Sequence, residues 1–352
     1  MFAVAHTGRG ALSMETLTLD KFPKEVLAAI DMQRAFIVSR LMIAAERLRV
    51  FRVLHGKRMK AATIGRRLKI HKTYRDTFLN ALVSLGLLHK ADDTYWNTRL
   101  ADKYFIEERS VYWTRQYSKE CVEAYETLSV LEKALASGRS CASIKGLKRA
   151  SYTEAMQRDR RRAEDFTQML FHFHQDDAEA LATYLDLSKH RALLDVGGGS
   201  GVMSIALARK NPHLRACVLD LATVCEIAAR NIRRARLSRR ISTMPGDIRR
   251  KLPVGHDVIM LCDIGPVSEQ LLKNAHNGLP PGGLVVAVDR YLSDDRTKPL
   301  DRLVGSFVGA SVQLATRSDM VARVRSCGFQ AVKAKNVYRD VWCITGTKSS
   351  KQ

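Results

Sequence analysis

Hydrophobic and polar positions give the two halves of the chain different textures. In roughly the first half, apolar residues recur every three or four positions, which predicts amphipathic helices. From residue 191 onward, short apolar runs alternate with amphipathic stretches, which predicts strands separated by helices. Such alternation is typical of a mostly parallel sheet covered by helices on both faces.

The segment before residue 110 has the pattern of a winged helix. Residues 1–20 carry no periodic pattern, and we expect them to be disordered or loosely docked. Two short strands around Asp92 and Asp93 predict a hairpin, and Gly86 stands where the preceding helix is expected to stop. The predicted helices of this segment cover 24–55, 61–68 and 73–87.

The later segments predict a helical linker followed by the sheet. Residues 111–180 are predicted to be helical, with a break near 137–140. Only a few residues, 337–339, separate the last two strands, so that pair is expected to be antiparallel. The predicted strands are 191–196, 215–219, 240–244, 256–261, 283–289, 329–335 and 340–346; the predicted helices between them are 201–211, 222–236, 267–278 and 318–327.

Composition indicates a globular protein large enough for two domains. The 352 residues are 46% hydrophobic and 27% charged, no apolar run reaches the roughly 18 residues of a membrane span, and Met1–Gly10 lacks a signal-peptide core. We therefore expect a cytoplasmic protein without a membrane partner. The seven cysteines are scattered and none forms a C-x-x-C pair, so neither a disulfide framework nor a zinc site is predicted.

The net charge of +22 is spread over both ends of the chain, whereas residues 111–190 are close to neutral. A basic tail would have indicated nucleic acid. A diffuse excess predicts attraction to polyanions in general, an acidic substrate, or a basic composition with no specific partner.

A glycine-rich turn is the strongest chemical signal in the sequence. The apolar run ending in Asp195 and Val196 continues into Gly197-Gly198-Gly199-Ser200-Gly201 and then into a predicted helix. Glycines let the backbone turn tightly and approach a ligand closely, and the helix start supplies free amide donors. This strand–turn–helix context predicts a nucleotide-type cofactor site.

Two acidic residues extend this pattern. Asp220 closes the second strand about 20 residues after the glycines, where a carboxylate can accept both ribose hydroxyls. Asp247, in Gly246-Asp247-Ile248 after the third strand, is expected to take the adenine amino group. The dinucleotide pattern G-x-G-x-x-G would place its third glycine at position 202, which is Val202, so NAD fits less well.

These segments resemble the small-molecule O-methyltransferases with an N-terminal winged-helix dimerisation domain. This family includes plant caffeate-type, acetylserotonin and bacterial polyketide, carotenoid and phenazine enzymes. The resemblance is carried by LLDVGGGSG (193–201), VLDL (218–221), PGD (245–247), LPPGG (279–283) and CGF (327–329).

The resemblance implies a fold, a cofactor and an assembly. The fold would be a Rossmann-like class I methyltransferase α/β sheet, with its last strand antiparallel, preceded by an all-α/winged-helix domain that mediates homodimerisation. The implied domains are dimerisation (1–110), helical linker and acceptor pocket (111–185) and S-adenosylmethionine (SAM) binding (186–352). The implied SAM ligands are Asp195, Gly197, Gly199, Gly201, Asp220, Leu221, Gly246, Asp247, Ile248 and Cys262, with Cys262 at the position of the family's usual lysine.

The acceptor segment departs from the family. After the fourth strand the family has a His-Asp-Trp-like segment that supplies the base, whereas this chain reads Cys262 to Glu269 with neither His nor Trp. Asp263 could act as a base or a cofactor contact, and His172 or His174 could have a catalytic or substrate-binding role. Because residues two positions apart do not lie on the same face of a helix, at most one of the two histidines should point inward. A metal site from these histidines with Asp176 and Asp177 is not favoured, since the spacing matches no common pattern.

Three functions therefore stay open on sequence alone. The leading one is O-methylation of a small aromatic or polyene metabolite in secondary metabolism. A second is transfer to nitrogen or carbon, since a nitrogen acceptor that is already nucleophilic needs no base. A third is a winged-helix nucleic-acid-binding protein with a cofactor-sensing domain, motivated by the basic residues Arg66, Arg67, Lys69, Lys72 and Arg75. Arg290 or Arg317 could hold an acidic group of the acceptor.

Overall fold

The structure is a computed structural model that describes residues 24–106, 121–147, 151–309 and 314–350. The chain divides into two compact units, Met1–Arg115 and Gln116–Gln352. The expectation of disorder over 1–20 and the helix expected over 111–120 lie outside the described residues. The boundaries predicted at 110 and 185 stay predictions.

The first unit combines helices with a three-stranded sheet. The helices are α1 (Lys24–Arg47), α2 (Val50–Leu54), α3 (Ala61–Leu68), α4 (Lys72–Ser84) and α5 (Arg99–Tyr104), and the strands are β1 (Met59–Lys60), β2 (Leu88–Ala91) and β3 (Thr94–Asn97). Strands β2 and β3 form the predicted hairpin, with Asp92 at a φ of +51° in its turn; β1, which was not predicted, pairs with β3.

The single helix predicted over 24–55 is wrong. Arg49, at a φ of +57°, separates α1 from α2. Most of α1 is exposed, whereas Val50, Phe51 and Leu54 of α2 are buried in the core of this unit. The change of direction at Arg49 therefore lets α2 bury its apolar face. The periodicity of apolar residues gave no sign of this change of direction.

The second unit begins with a series of helices. Residues 121–127 are helical, and the break predicted near 137–140 is confirmed by Gly138 at a φ of +67° and by Ser140, which caps the next helix. Further breaks occur at Asp159 and His174. The elements are a 3₁₀ helix (Leu128–Val130), α6 (Leu131–Ser137), α7 (Cys141–Ile144), α8 (Tyr152–Arg158), α9 (Arg160–Phe173) and α10 (Gln175–Tyr184).

A seven-stranded sheet follows, as predicted. The strands are β4 (Ala192–Val196), β5 (Arg215–Asp220), β6 (Ile241–Pro245), β7 (Val258–Cys262), β8 (Leu284–Asp289), β9 (Phe329–Tyr338) and β10 (Val341–Lys348). Their order in the sheet is β6-β5-β4-β7-β8-β10-β9, and β10 runs antiparallel between β8 and β9. The helices are α11 (Val202–Lys210), α12 (Ala222–Arg234), α13 (Glu269–Gly278), α14 (Leu300–Val308) and α15 (Arg317–Ser326), of which α14 was not predicted.

Both faces of the sheet are buried along its central strands β4, β5, β7 and β8, so these strands are apolar on both sides. Leu193 and Val258 pack with α10, α11 and α12 on one face, and Leu194 and Ile259 pack with α13 and α15 on the other. Strand β4 lies between β5 and β7, the point where the strand order reverses, and ligands of such sheets bind at the carboxyl ends of the strands there. Within the described residues, no helix is long and apolar enough to cross a membrane.

Candidate functional site

The glycine-rich turn leaves the carboxyl end of β4 in a backbone conformation that favours glycine. Gly197, Gly199 and Gly201 have φ values of +67°, +53° and +77°. A Cβ built on Gly197 would lie 2.5 Å from Ile264 Cγ2 and 3.9 Å from Ile248 Cδ1, so the turn packs directly against the segments that follow β6 and β7. The turn opens α11, whose first residue is Val202.

The Asp195 side chain packs against the glycine-rich turn. The carboxyl group is fully buried, and Ser204 Oγ donates a hydrogen bond to its Oδ2 at 2.7 Å. A Cβ built on Gly198 would lie 2.5 Å from Asp195 Cγ, so the carboxyl group fills the space beneath that glycine. Burial, together with the charge of Asp220, raises the pKa of Asp195 to about 7. Its Oδ1 is buried and has no hydrogen-bond partner in the described part of the chain.

Asp220 joins the end of β5 to the glycine turn. Its Oδ2 accepts a hydrogen bond from the Gly199 amide at 2.9 Å, and its Oδ1 accepts one from the Leu221 amide at 2.7 Å. Burial raises the pKa of this carboxyl group. Each carboxylate oxygen keeps a further lone pair, so Asp220 can also accept two adjacent hydroxyl groups of a ligand.

The segment after β6 reaches the same edge of the sheet. The Gly246 amide donates to the Asp220 carbonyl at 2.9 Å. The Asp247 carboxylate accepts hydrogen bonds from Arg249 Nε at 2.8 Å and Nη2 at 2.7 Å, and these bonds lower the pKa of Asp247 to about 2. Asp247 thus lies just after β6, and its carboxylate is paired with Arg249; its contact with adenine stays a prediction.

A cavity of about 90 Å³ lies beside the turn, and we call it the acceptor cavity because it contains Asp263 of the segment where the sequence predicted the acceptor site. Asp263 directly follows β7 with a φ of +47°, and its amide donates to the Val288 carbonyl at 3.0 Å. Burial raises the pKa of the neighbouring Cys262 thiol. The cavity is lined by Phe173, His174, Asp177, Met203, Cys262, Asp263, Val288, Asp289, Arg290, Arg302 and Val341.

His174 connects the α9–α10 junction to Asp263. Its Nδ1 lies 2.8 Å from Asp177 Oδ2 and its Nε2 lies 3.2 Å from Asp263 Oδ2. Burial alone would lower the pKa of His174, but the hydrogen bonds with the two carboxylates outweigh it and raise that pKa to about 9. At neutral pH the ring is therefore an imidazolium that donates from both nitrogens.

Arg302 of α14 reaches Asp263 from the other side. Its Nη2 lies 4.0 Å from Asp263 Oδ1 and also bonds the Asp289 carboxylate, while its Nε donates to the Arg290 carbonyl at 3.1 Å. Burial, and then the charge of Asp263, raise the pKa of Asp289. Sequence reasoning missed Arg302 because α14 itself was not predicted.

The other residues that the sequence suggested for the acceptor site either lie apart from this cavity or form ion pairs with other residues. His172 lines a different groove, of about 690 Å³, between α9, α10, α11 and α12. Arg290 Nε bonds Asp340 at 2.7 Å, and Arg317 pairs with Asp294. The described residues contain no group of His, Cys, Asp or Glu side chains that could hold a metal ion.

Tyr152 is a further residue that sequence reasoning missed. The side chain is half exposed, its ring centroid lies 6.0 Å from that of Phe166, and partial burial followed by the charges of Asp220 and Asp263 raises the pKa of its hydroxyl. The Tyr152 hydroxyl therefore interacts electrostatically with Asp220, which bonds the glycine turn, and with Asp263, which lines the acceptor cavity. The Ser151–Glu154 capping box at the start of α8 is the only local signal for it.

Two family models match the chain. The O-methyltransferase domain matches residues 130–321, and the O-methyltransferase dimerisation domain matches residues 30–107. A 3-hydroxy-5-methyl-1-naphthoate 3-O-methyltransferase from Streptomyces sahachiroi is 30% identical over 328 residues, which cover 88% of this chain and 94% of the relative. A tetracenomycin polyketide synthesis 8-O-methyl transferase from Streptomyces glaucescens is 28% identical, over 79% of this chain and 82% of the relative.

Solved structures share the fold. PigF with SAH (S-adenosylhomocysteine) superposes with a TM-score of 0.79 at 21% identity, covering 93% of this chain and 100% of that one. Human N-acetylserotonin methyltransferase in complex with SAM superposes with a TM-score of 0.75 at 22% identity, covering 94% and 99%.

Proposed function

The chain belongs to the O-methyltransferase family, a family of SAM-dependent enzymes, and on this premise we propose that it methylates a hydroxyl group of a small aromatic or polyene metabolite. The observation that carries the proposal is the meeting of three groups at one edge of the sheet. The glycine turn, the Asp220 carboxylate and the acceptor cavity around Asp263 all lie at the carboxyl ends of β4, β5 and β7.

The residues at this edge fit SAM. Bound SAM supplies an activated methyl group, so the protein mainly has to align an acceptor with it. Asp220 has lone pairs left for two ribose hydroxyls, and the unpartnered Asp195 Oδ1 leaves one buried acceptor beneath the turn. Asp247 can accept a hydrogen bond from the adenine amino group once Arg249 no longer bonds both oxygens of the Asp247 carboxylate. The proposed cofactor contacts are Asp195, Gly197, Gly199, Gly201, Asp220, Leu221, Gly246, Asp247, Ile248 and Cys262.

Asp263 is the proposed acceptor for the hydroxyl proton. It is 39% exposed and faces the cavity, whereas His174 and Arg302 beside it are each less than one fifth exposed. His174 holds one Asp263 oxygen by a hydrogen bond, which fixes the carboxylate in place. We therefore assign Asp263 as the catalytic base and His174 as the residue that positions it.

The family's dimerisation domain supports a homodimer as the working assembly. We keep the sequence-derived division into a dimerisation domain (1–110), a helical linker with acceptor-pocket residues (111–185) and a SAM-binding domain (186–352). His174 belongs to the second of these segments and Asp263 to the third, so the acceptor cavity is formed by both.

Calorimetry with SAM and SAH tests the core of the proposal. Wild type should bind both, and Asp220→Ala should bind SAH about 100-fold more weakly, because two hydrogen bonds to an ionised group are lost. Asp257→Asn is the matched control: Asp257 also accepts backbone amides, from Arg191 at 2.9 Å and Ala192 at 2.8 Å, but at the amino end of β4.

The control should change SAH affinity by less than about twofold. Asp257 lies at the amino ends of the strands, whereas the proposed cofactor lies at their carboxyl ends. Absence of SAM and SAH binding by wild type would refute the proposal. Equal losses in Asp220→Ala and Asp257→Asn would refute the assignment of Asp220 and indicate a general effect on folding.

A further inference from the structure

The groove of about 690 Å³ between α9, α10, α11 and α12 takes no part in the proposed methyl transfer. None of its lining residues lines the acceptor cavity, and none is a proposed cofactor contact. Pockets for small organic ligands have volumes of about 300–1,000 Å³. The groove is therefore large enough to hold a ligand of its own.

The floor of the groove is apolar. Ala178 and Ala182 of α10 and Val202 and Ile205 of α11 line it, and each of these side chains is buried. The ring of Phe171, at the end of α9, adds an aromatic surface beside them. Water is released when an apolar molecule covers such a floor, which favours binding of a ligand with an apolar body.

Two buried amide side chains form one wall of the groove. Gln168 and Asn231 are only 3% and 2% exposed. Gln168 Nε2 donates to Asn231 Oδ1 at 3.1 Å, and Asn231 Nδ2 donates to the Ser200 carbonyl at 3.1 Å. These hydrogen bonds fix both side chains in place, so this wall is ordered before a ligand binds, which lowers the entropy cost of binding.

One end of the groove is basic. Arg209 and Lys210 lie in the last turn of α11 and Arg234 in the last turn of α12, and all three are exposed and line the groove. In the described part of the chain, none of the three forms an ion pair with an acidic side chain, and Glu179 is the one acidic residue of the lining. His172 adds no charge at neutral pH, because burial lowers its pKa. Three cations therefore stand against one carboxylate.

The geometry of the helices brings these cations together. Helices α11 and α12 follow the parallel strands β4 and β5 and pack on the same face of the sheet, so both end at the amino edge of the strands. A helix end of this kind carries about half a negative charge. At α11 that charge is countered by Arg240, whose Nη1 donates to the carbonyls of Ala208 at 2.6 Å and Asn211 at 3.0 Å. The three cations at the groove are therefore left to attract an anion.

We propose that the groove is a second ligand site, which binds a free amphipathic organic acid. The aromatic or aliphatic body of the acid covers the floor between α10 and α11, and its carboxylate lies between Arg209, Lys210 and Arg234. Arginine suits this role because its planar guanidinium can bind both oxygens of a carboxylate. The inference goes beyond the proposed function and does not depend on it.

A pair of bicyclic probes tests the inference by calorimetry. The probes are 2-naphthylacetate and the uncharged 2-(2-naphthyl)ethanol, and the protein is the full chain saturated with SAH. If only the floor mattered, the more apolar alcohol would bind more tightly. We expect one molecule of the acid per chain, bound at least about tenfold more tightly than the alcohol. Equal binding, or a preference for the alcohol, would overturn the inference.

Two neighbouring arginines locate the bound acid. Arg234→Ala should weaken binding of 2-naphthylacetate by about fivefold, the effect of one exposed ion pair, and leave binding of the alcohol within about twofold. Arg233→Ala is the matched control, because Arg233 is the next residue of the same helix but lines a different cavity. Equal effects of the two substitutions would mean that charge attracts the acid without a site, and would overturn the inference.

A substitution in the floor tests the apolar part of the site. Ala206→Leu places a larger side chain in the groove, on α11, and should weaken binding of both probes by about tenfold. Unchanged affinity for both probes would place them elsewhere and overturn the inference. Displacement of 2-naphthylacetate by an equal concentration of inorganic phosphate would also overturn it, because charge alone would then account for binding.

Discussion

The proposed cofactor site and the acceptor cavity are adjacent but are built in different ways. The cofactor site consists mostly of backbone from one stretch, 195–201, with Asp220 bonded to it. The acceptor cavity consists of side chains from distant positions, among them His174, Asp263 and Arg302. A site made from contiguous backbone is carried by a short motif, whereas a site made from distant side chains can change without altering the motif. The glycine turn can therefore be kept while the segment from Cys262 to Glu269 has neither His nor Trp.

The largest effect should come from a side chain placed in the glycine turn. Gly197→Ala adds a Cβ 2.5 Å from Ile264 Cγ2 at a residue with a φ of +67°. Left-handed strain and overpacking together should lower the free energy of unfolding by about 2–4 kcal/mol and should abolish SAH binding. Urea unfolding and calorimetry measure the two effects.

Gly265→Ala is the matched control for this change. Gly265 also has a positive φ, +79°, but a Cβ there would meet no atom within 4 Å. Only the strain of about 1–2 kcal/mol remains, and SAH binding should persist. If both variants lose binding equally, close packing of the turn against Ile264 is not what the cofactor site requires.

A smaller effect should follow when the acceptor cavity loses its imidazolium. His174→Gln removes a charged hydrogen bond to Asp263, so kcat should fall about tenfold through misplacement of the carboxylate. SAH affinity should change by less than about twofold, because the glycine turn and Asp220 are untouched. A loss of SAH affinity as large as the loss in kcat would contradict the separation between the two sites.

The same variant makes a prediction about pH and stability. The pKa of His174 is raised from 6.5 to about 9 in the folded state, so its contribution to stability is complete below about pH 6.5 and is lost as pH rises through about 9. The difference in unfolding free energy between wild type and His174→Gln should therefore shrink by about 3 kcal/mol over that range. His213→Gln, which loses a contact with the Leu187 carbonyl, is the control. A difference that does not depend on pH would contradict the imidazolium.

The smallest effect concerns the outer part of the proposed cofactor site. Arg249→Ala frees the Asp247 carboxylate, and SAH affinity should rise by about threefold because an exposed ion pair is a weak competitor. Asp247→Ala should lower SAH affinity by up to about tenfold. If neither variant changes SAH affinity, Asp247 does not contact the adenine.

The features with a periodic or local signal were predictable. Alternating apolar runs gave all seven strands of the large sheet and the antiparallel final strand. Strand β1 has only two residues, too few to show a period, and α14 is a nine-residue helix that contains Gly305, a residue with low helix propensity, so both were missed. The turn at Arg49 depends on which apolar residues reach the core, and this is decided by tertiary packing.

The candidate site divides in the same way. Asp220 and the glycines could be located from their spacing alone, and Asp263 from its position after a buried strand. Arg302 could not, because it approaches Asp263 from a helix that is distant in sequence. The pairing of Asp247 with Arg249 depends on a local loop conformation that no motif specifies.

The two edge strands of the large sheet bear on how the protein avoids aggregation. An unpaired edge can recruit a strand from another chain. β6 has only five residues and ends at Pro245, which has no amide hydrogen to donate. β9 has ten residues, but it exposes Lys333 and Lys335 and is distorted at Ala331, whose φ is +50°. Intermolecular strand addition is therefore disfavoured at both ends of the sheet, by a missing donor at one and by charge and distortion at the other.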